Sequence, residues 1–468
     1  MKKMWSGRFR QPLNPAFERW QRSFPFDCRL LECELEASAA HARALGRCGL
    51  LGPQELSALL AGLEEIGRQV SARRELLEDA DAEDIHHYVE KRLALIVGDL
   101  AYKLHSGRSR NEQIATDLRL YTRSACDEIS AAVCSLIRAF VARAEEAGDA
   151  AMPAYTHMQR AEPVLVAHWL LAYVEMLWRD LERIEQCRQR ANRCPLGTSA
   201  VAGASLPLDR ERMARELGFP SITANSVDAV SDRDFVLDFV NALSLMAVHL
   251  SRWAEEMLLF STVEYGLLQL PEAYSTGSSA LPQKMNGDLL ELTRAKAGRI
   301  IGHATALLVA TKGLPLAYNK DLQETQEPLF DAAETIISLL PLLAGWMNAV
   351  EFNFERMHAA AESGCINALA AANYLARKGV PFRIAHEHIG KAVSLAVERC
   401  CELEHLELGD LQAIDSHFDA DFYECLKLER VLGMHDVPGG TAPERVRQAI
   451  AAARGRLTLI DEEAHAHA

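Results

Sequence analysis

This 468-residue sequence contains no C-x-x-C pair, no G-x-G-x-x-G, no P-loop, no H-E-x-x-H and no G-x-S-x-G. Those absences remove the sequence marks of dinucleotide binding, phosphate-loop, zinc-protease and serine-hydrolase chemistry. The eleven cysteines are odd in number and scattered, with Cys400 and Cys401 adjacent. That is neither a disulfide framework nor a zinc pattern, and it suggests a reducing cytosol. Positive charge is not in surplus either. A net charge of −15 argues against nucleic acid or an anionic membrane surface as the main partner, though a local basic pocket for a small anion is compatible with it. After Met1-Lys2-Lys3, the residues Trp5-Ser6-Gly7-Arg8 stand where a secretory signal would have its apolar core. No apolar run approaches the ~20 residues of a membrane span. The expectation is a soluble, acidic, cytoplasmic protein that works without a cofactor or a metal.

Strand-like alternation is also scarce, and helix signals dominate. From Asn111 to Ala147 there is neither Gly nor Pro, and Val164 to Cys194 and Ser231 to Tyr265 are likewise uninterrupted. In the last of these, Phe239, Leu243, Met246, Leu250, Trp253, Met257 and Phe260 alternate steps of four and three, a coiled-coil-like seam. Val236, Leu237, Val240, Leu245 and Val248 make the same helix apolar on other faces, so it must be covered on several sides. A fourth helix starts near Asp288 and runs towards Lys312-Gly313. Rods this long and this apolar predict an all-α bundle whose surface is covered by other copies of the chain. Shorter helices flank it, which predicts three parts: 1–107, 108–359 and 360–468. The last residues, Asp461 to Ala468, read as a frayed tail.

Five polar clusters interrupt these helices. Gly277-Ser278-Ser279-Ala280-Leu281-Pro282-Gln283-Lys284-Met285-Asn286 places hydroxyls, an ammonium and a carboxamide on one loop. Backbone N–H groups and Lys284 there can hold negative charge that develops on a carboxylate while a hydroxyl sits at the neighbouring carbon. Asp81-Ala82-Glu83-Asp84-Ile85-His86-His87 reads either as a capping run at a helix start or, with spacing that fits no standard site, as metal ligands. His105-Ser106-Gly107-Arg108-Ser109-Arg110-Asn111-Glu112 is either an anion site at a helix N-terminus or a capping box with solvated arginines. In Tyr155-Thr156-His157-Met158-Gln159-Arg160, the histidine is a candidate general acid or a structural residue. Tyr318-Asn319-Lys320-Asp321-Leu322-Gln323-Glu324 is a polar loop facing ligand or solvent. Together they point to acid–base chemistry on a polyanionic small molecule.

Taken with Met4-Trp5-Ser6-Gly7-Arg8-Phe9 and Asn225-Ser226-Val227-Asp228-Ala229-Val230-Ser231-Asp232-Arg233-Asp234, these clusters resemble the argininosuccinate lyases of the fumarase/aspartase superfamily over essentially the whole chain. The resemblance implies an all-α fold with a long central bundle, and a homotetramer with each site assembled from three subunits. It implies reversible elimination of argininosuccinate to arginine and fumarate in arginine biosynthesis. Ser278 would be the base, Lys284 and Asn286 would hold the dianionic carboxylate, and His157, oriented by Glu291, would assist the departing nitrogen. Ser23, Asn111, Thr156, Tyr318 and Gln323 would contact substrate, joined by Arg110, His86 and Lys320. The chain departs from the family pattern at Glu112, Met285, Gly287 and above all Gln326, where a substrate-binding lysine is usual. Two alternatives stay open on the sequence: a sister lyase for another N-substituted aspartate or succinate, and a non-catalytic structural descendant.

Overall fold

The computed structural model describes residues 10–78 and 81–467. Met1-Lys2-Lys3 and Met4 to Phe9, on which the resemblance begins, lie outside the described residues.

The fold is all-α; the described strands form only three two-stranded ribbons. Five long helices carry it: Arg110–Ala147, Val166–Ala191, Asp234–Ser261, Asp288–Thr311 and Gln326–Ala349. The first, 38 residues long, spans roughly 57 Å at 1.5 Å per residue. It ends where Gly148 takes a positive φ of 53°, a conformation that suits a residue without a Cβ. Every residue of the seam from Phe239 to Phe260 is buried, while Leu245 and Val248 on the far side of that helix are exposed.

Three details differ from expectation. A β-hairpin, Ala151–Thr156 with Gln159–Leu165, precedes the second long helix, so the helix begins at Val166 and not at Val164. The Gln326–Ala349 helix has no counterpart in the helix-by-helix reading, because Pro328 and Pro341 mask it. Pro328 sits in the first turn, where its missing N–H has no intrahelical partner to lose, and only Pro341 lies inside. The chain also closes with a helix, Pro443–His467, where a frayed tail was expected.

Two helices, Asp234–Ser261 and Lys320–Ala349, are long and apolar enough to cross a membrane by length and composition, with mean hydropathy 1.3 and 1.4. Neither holds a charge-free apolar run of membrane-span length, since Asp238 and Arg252 interrupt the first and Asp331 and Glu334 the second. Their apolar windows are 50% and 61% buried, as in core helices of a folded protein.

The chain divides into two compact units. One comprises Met1–Ile129, Glu182–Ser244 and Gly298–Ile336; the other comprises Ser130–Leu181, Leu245–Ala297 and Ile337–Ala468. In the first, Ala37, Ala40 and Ala44 pack with Leu196, Met213, Leu217 and Phe219. The small side chains let the Leu31–Arg47 helix approach closely. In the second, Leu375, Ile389, Leu403, Phe418 and Phe422 form a C-terminal core, and Trp253 meets Trp346 edge-on at 5.1 Å.

The Asp288–Thr311 helix is only partly covered. Leu292, Ile301, Leu308 and Val309 are 43–56% exposed, and Ala295, Gly298 and Gly302 are exposed beside them.

Candidate active site

The sequence-predicted residues fall into two groups, one in each compact unit. Ser23, His86, Arg110, Asn111, Tyr318, Lys320 and Gln323 belong to the first; Thr156, His157, Ser278, Lys284, Asn286 and Glu291 belong to the second.

In the first group the Asp81–His87 run caps a helix, as its simpler reading holds. Asp84 is the N-cap of Ile85–Val97 and accepts from the His87 N–H at 2.7 Å. Its other oxygen meets Arg110 Nε at 3.2 Å. The Ile85 N–H donates to Asp27 Oδ1 at 3.0 Å, while the Ser23 and Phe24 N–H groups donate to the Glu83 carbonyl at 3.1 and 3.2 Å. Ser23 and Asp84 are thereby fastened to the same turn. Burial, then the charge of Asp84, pushes the Asp27 carboxyl up to about 7.

Arg110 and Asn111 open the first long helix. Glu112 closes a capping box there: it accepts from the Ser109 N–H at 3.0 Å and from the Gly197 N–H at 2.5 Å. The longer Glu thus has a structural partner at each oxygen. Of the two arginines, Arg108 is not solvated, contrary to the capping-box alternative, while Arg110 keeps partial exposure. Arg108 is buried and its Nη1 donates to Ser38 Oγ at 2.8 Å. Arg110 is half-buried, with Nη1 donating to Gln113 Oε1 at 3.2 Å. Asn111 Nδ2 donates to the Ala200 carbonyl at 3.1 Å.

His86 is fully enclosed. Its Nδ1 lies 2.8 Å from Glu34 Oε2 and 3.6 Å from Asp117 Oδ2. Ligating atoms of Glu34, His86 and Asp117 lie within 4.8 Å of one another, close enough for a metal. The Arg108 guanidinium, 3.9 Å from Glu34, already supplies a positive charge there. Burial raises Glu34, but the charges of His86 and Arg108 overcome it and hold the carboxyl well below the usual range. Asp117 goes the other way, pushed far up by burial and then by the Glu34 charge. One carboxylate and one neutral acid side by side suit a cluster that already holds arginine.

Tyr318 is half-buried and its phenol is pushed up by burial, with the charge of Arg233 acting in opposition. Arg233, from the Asn225–Asp234 motif, is itself buried, with Nε and Nη2 unpartnered. Gln323 Nε2 donates to the Gln21 carbonyl at 3.2 Å, two residues before Ser23 in the chain. Lys320 is exposed. Gln326 is buried with its Oε1 unpartnered.

In the second group the Thr156-His157-Met158 segment is the hairpin tip. Thr156 pairs with Gln159, so His157 and Met158 form a two-residue turn with φ of 53° and 62°. Two positive φ values are the hand of a type I′ turn, normally built from Asn or Gly. The tip holds Thr156 and His157 out into solvent.

The Gly-Ser-Ser loop is closed at its base by a second ribbon, with Thr276 opposite Asn286 and Gly277 opposite Met285. Thr276 Oγ1 also donates to Asp288 Oδ2 at 2.5 Å. Within the loop, Ser278 Oγ accepts from the Ala280 N–H at 3.3 Å and the Leu281 N–H at 3.1 Å. The Lys284 N–H returns to the Leu281 carbonyl at 3.1 Å. Ser278 is half-buried; Lys284 and Glu291 are exposed. Among the described residues Lys284 forms no ion pair, and no hydrogen bond joins Glu291 to His157. Arg233, Glu34 and Gln113 are the polar residues of these surroundings that sequence reasoning assigned no role. Arg233 lay in the Asn225–Asp234 motif and Gln113 at the end of the His105–Gln113 segment, whereas Glu34 carries no local signal.

Residues 7–302 match the family model described as lyase, and residues 365–433 match the model described as argininosuccinate lyase C-terminal. The chain is similar to the argininosuccinate lyase of Koribacter versatilis, 54% identical over 466 residues that span 100% of both chains. It is 53% identical to that of Acidobacterium capsulatum, over 99% of both chains. Among solved structures, EDDS lyase in complex with formate superposes with a TM-score of 0.84 at 26% identity, covering 96% of this chain and 91% of that one. The class II fumarase of Schistosoma mansoni, at 16% identity and TM-score 0.72 over 85% of this chain and 90% of that one, shares the fold.

Proposed function

Because this chain belongs to the argininosuccinate lyases of the fumarase/aspartase superfamily, we propose that it eliminates fumarate from argininosuccinate and releases arginine. The activity is that of an argininosuccinate lyase. A sister lyase for another N-substituted aspartate is the weaker reading, since EDDS lyase shares 26% identity against 54% for the Koribacter enzyme.

One observation carries the assignment of the base. Ser278 Oγ already accepts two backbone N–H bonds, the arrangement that steadies an alkoxide and lowers the cost of losing the hydroxyl proton. The alkoxide takes the proton from the succinyl carbon next to a carboxylate. Negative charge then accumulates on that carboxylate, where Lys284 and Asn286 hold it. The carbon–nitrogen bond breaks as the double bond of fumarate forms, and His157, oriented by Glu291, protonates the departing guanidine nitrogen. Ser23, Asn111, Thr156, Tyr318 and Gln323 bind substrate, with Arg110, His86 and Lys320 beside them. His86 acts from an enclosed position, and no metal takes part in this scheme.

We further propose that the site is completed by association into a homotetramer, three subunits contributing to each site. The exposed apolar and small residues along the Asp288–Thr311 helix support this, because a face of that composition is stabilised by burial against another helix. The three-part division at 1–107, 108–359 and 360–468 and a place in cytoplasmic arginine synthesis belong to the same proposal.

The test is absorbance at the fumarate band with arginine quantified in parallel. Equal growth of both products is expected from the purified chain. Ser278→Ala is expected to abolish turnover and leave the oligomer intact; near wild-type turnover would remove Ser278 from the base role.

A further inference from the structure

Glu34 lies on the Leu31–Arg47 helix and is 1% exposed. Four groups from different parts of the chain converge on its carboxylate. Ser38 Oγ donates at 2.6 Å, and His86 Nδ1 lies at 2.8 Å. Gln113 Nε2 donates to both oxygens at 3.1 and 3.3 Å, and Arg108 Nη2 lies at 3.9 Å. The Gln113 amide works in two directions, because its Oε1 accepts from Arg110 Nη1 at 3.2 Å. A carboxamide that donates to a carboxylate and accepts from a guanidinium has only one orientation. Arg110 is held on its other side by Asp84, at 3.2 Å.

From this geometry we propose that Glu34 is a positioning residue: it orients the His86 imidazole directly and the Arg110 guanidinium through the Gln113 amide. The inference rests on the assignment of Arg110 to substrate binding. Arg110 is half-buried and Glu34 and Gln113 are enclosed behind it, so the relay connects a buried charge to a side chain that a ligand can reach. Its effect is pre-organisation: the guanidinium is aimed before substrate arrives, and binding orders one fewer flexible side chain.

Gln113→Leu breaks the relay while leaving Glu34 paired with Arg108, His86 and Ser38. Glu34→Gln is less suitable, because it strands a buried arginine. Steady-state kinetics of full-length Gln113→Leu with argininosuccinate should show KM raised about tenfold and kcat changed less than twofold. Arg110→Ala should raise KM at least as much, and the double variant should be no worse than Arg110→Ala, since the relay has nothing left to aim. Gln113→Asn, which keeps the amide but withdraws it by one methylene, should shift KM the same way, and it serves if the leucine variant does not fold. A KM rise in Arg110→Ala alone, or additive effects in the double variant, overturns the inference and leaves Arg110 in the site. An unchanged KM in both single variants removes Arg110 from the site and the inference with it.

Discussion

Gln326 carries the sharpest consequence of a single residue. Its side chain is enclosed and its Oε1 lacks a donor, so the position offers a polar group where the family usually has a charge. Gln326→Lys is expected to lower KM for argininosuccinate roughly tenfold, the size of one charge-assisted hydrogen bond of about 1.5 kcal/mol. It is also expected to lower the thermal midpoint, because an ammonium is costly to bury. A lowered midpoint with unchanged KM would make the residue purely structural. Two other enclosed groups contribute opposing slopes to the response to pH. Asp27, with its pKa pushed up to about 7, keeps a proton between about pH 4 and 7 that the unfolded chain has lost, so its contribution to stability falls as pH rises through that window. His41 is pushed down to about 3 by burial and then by Arg108. Between about pH 3 and 6.5 it is the unfolded chain that holds that proton, so stability rises with pH. Each slope is about 1.4 kcal/mol per pH unit and the signs oppose, so the two largely cancel between pH 4 and 6.5. Asp27→Asn keeps an acceptor for the Ile85 N–H and removes one slope. Its stability should climb with pH from 4 to 7, and the variant should exceed the parent at pH 7.5; equal pH profiles of the thermal midpoint would refute this.

At the scale of elements, the hairpin tip and the Gly-Ser-Ser loop show where local preference yields to position. Met158 at φ 62° sits in a left-handed conformation that costs a side chain roughly 1–2 kcal/mol. Met158→Gly should therefore raise the thermal midpoint, by the equivalent of at most about 1 kcal/mol once the larger entropy of the unfolded glycine is counted. A lower midpoint would mean that the exposed methionine side chain is itself stabilising. Gly287 stands where the family usually has proline, yet a Cβ there would lie 2.6 Å from Leu258 Cδ2 and 3.5 Å from Leu270. A side chain there is accommodated when the tip of Leu258 moves aside: Gly287→Ala should lose at most about 1 kcal/mol in denaturant unfolding, and Leu258→Val should restore what is lost. Of the four helices legible in the sequence, three were long stretches free of Gly and Pro, and the fourth, Asp288–Thr311, was legible from its apolar spacing despite Gly298 and Gly302. The hairpin was not legible, because Pro153 and Pro163 lie opposite each other in it and break the alternation that marks a strand. The Gln326–Ala349 helix was hidden for a related reason, since Pro341 lies inside a segment that burial keeps helical.

At the scale of the molecule, the Asp288–Thr311 helix leaves Leu292, Ile301, Leu308 and Val309 exposed. If the proposed tetramer is built on this face, Val309→Asp should drive it towards smaller species and remove turnover with it, as read by light scattering on a sizing column alongside the fumarate assay. A tetramer that persists with full activity would place the subunit contact elsewhere.

By itself the sequence determined the helical class and the buried seam from Phe239 to Phe260, and it marked the loops to which the proposed chemistry is assigned. Each is written in local spacing: apolar residues three and four apart, a glycine ahead of two serines, a carboxylate at a helix start. Only the tertiary structure decided which side chain faces which. It enclosed His86 behind Glu34 and brought the Gln113 amide onto the same carboxylate. Residues 34, 86 and 113 are far apart in the chain, and no local pattern encodes their meeting. Burial brings them together, because charges removed from water are stable only beside partners that replace their hydration.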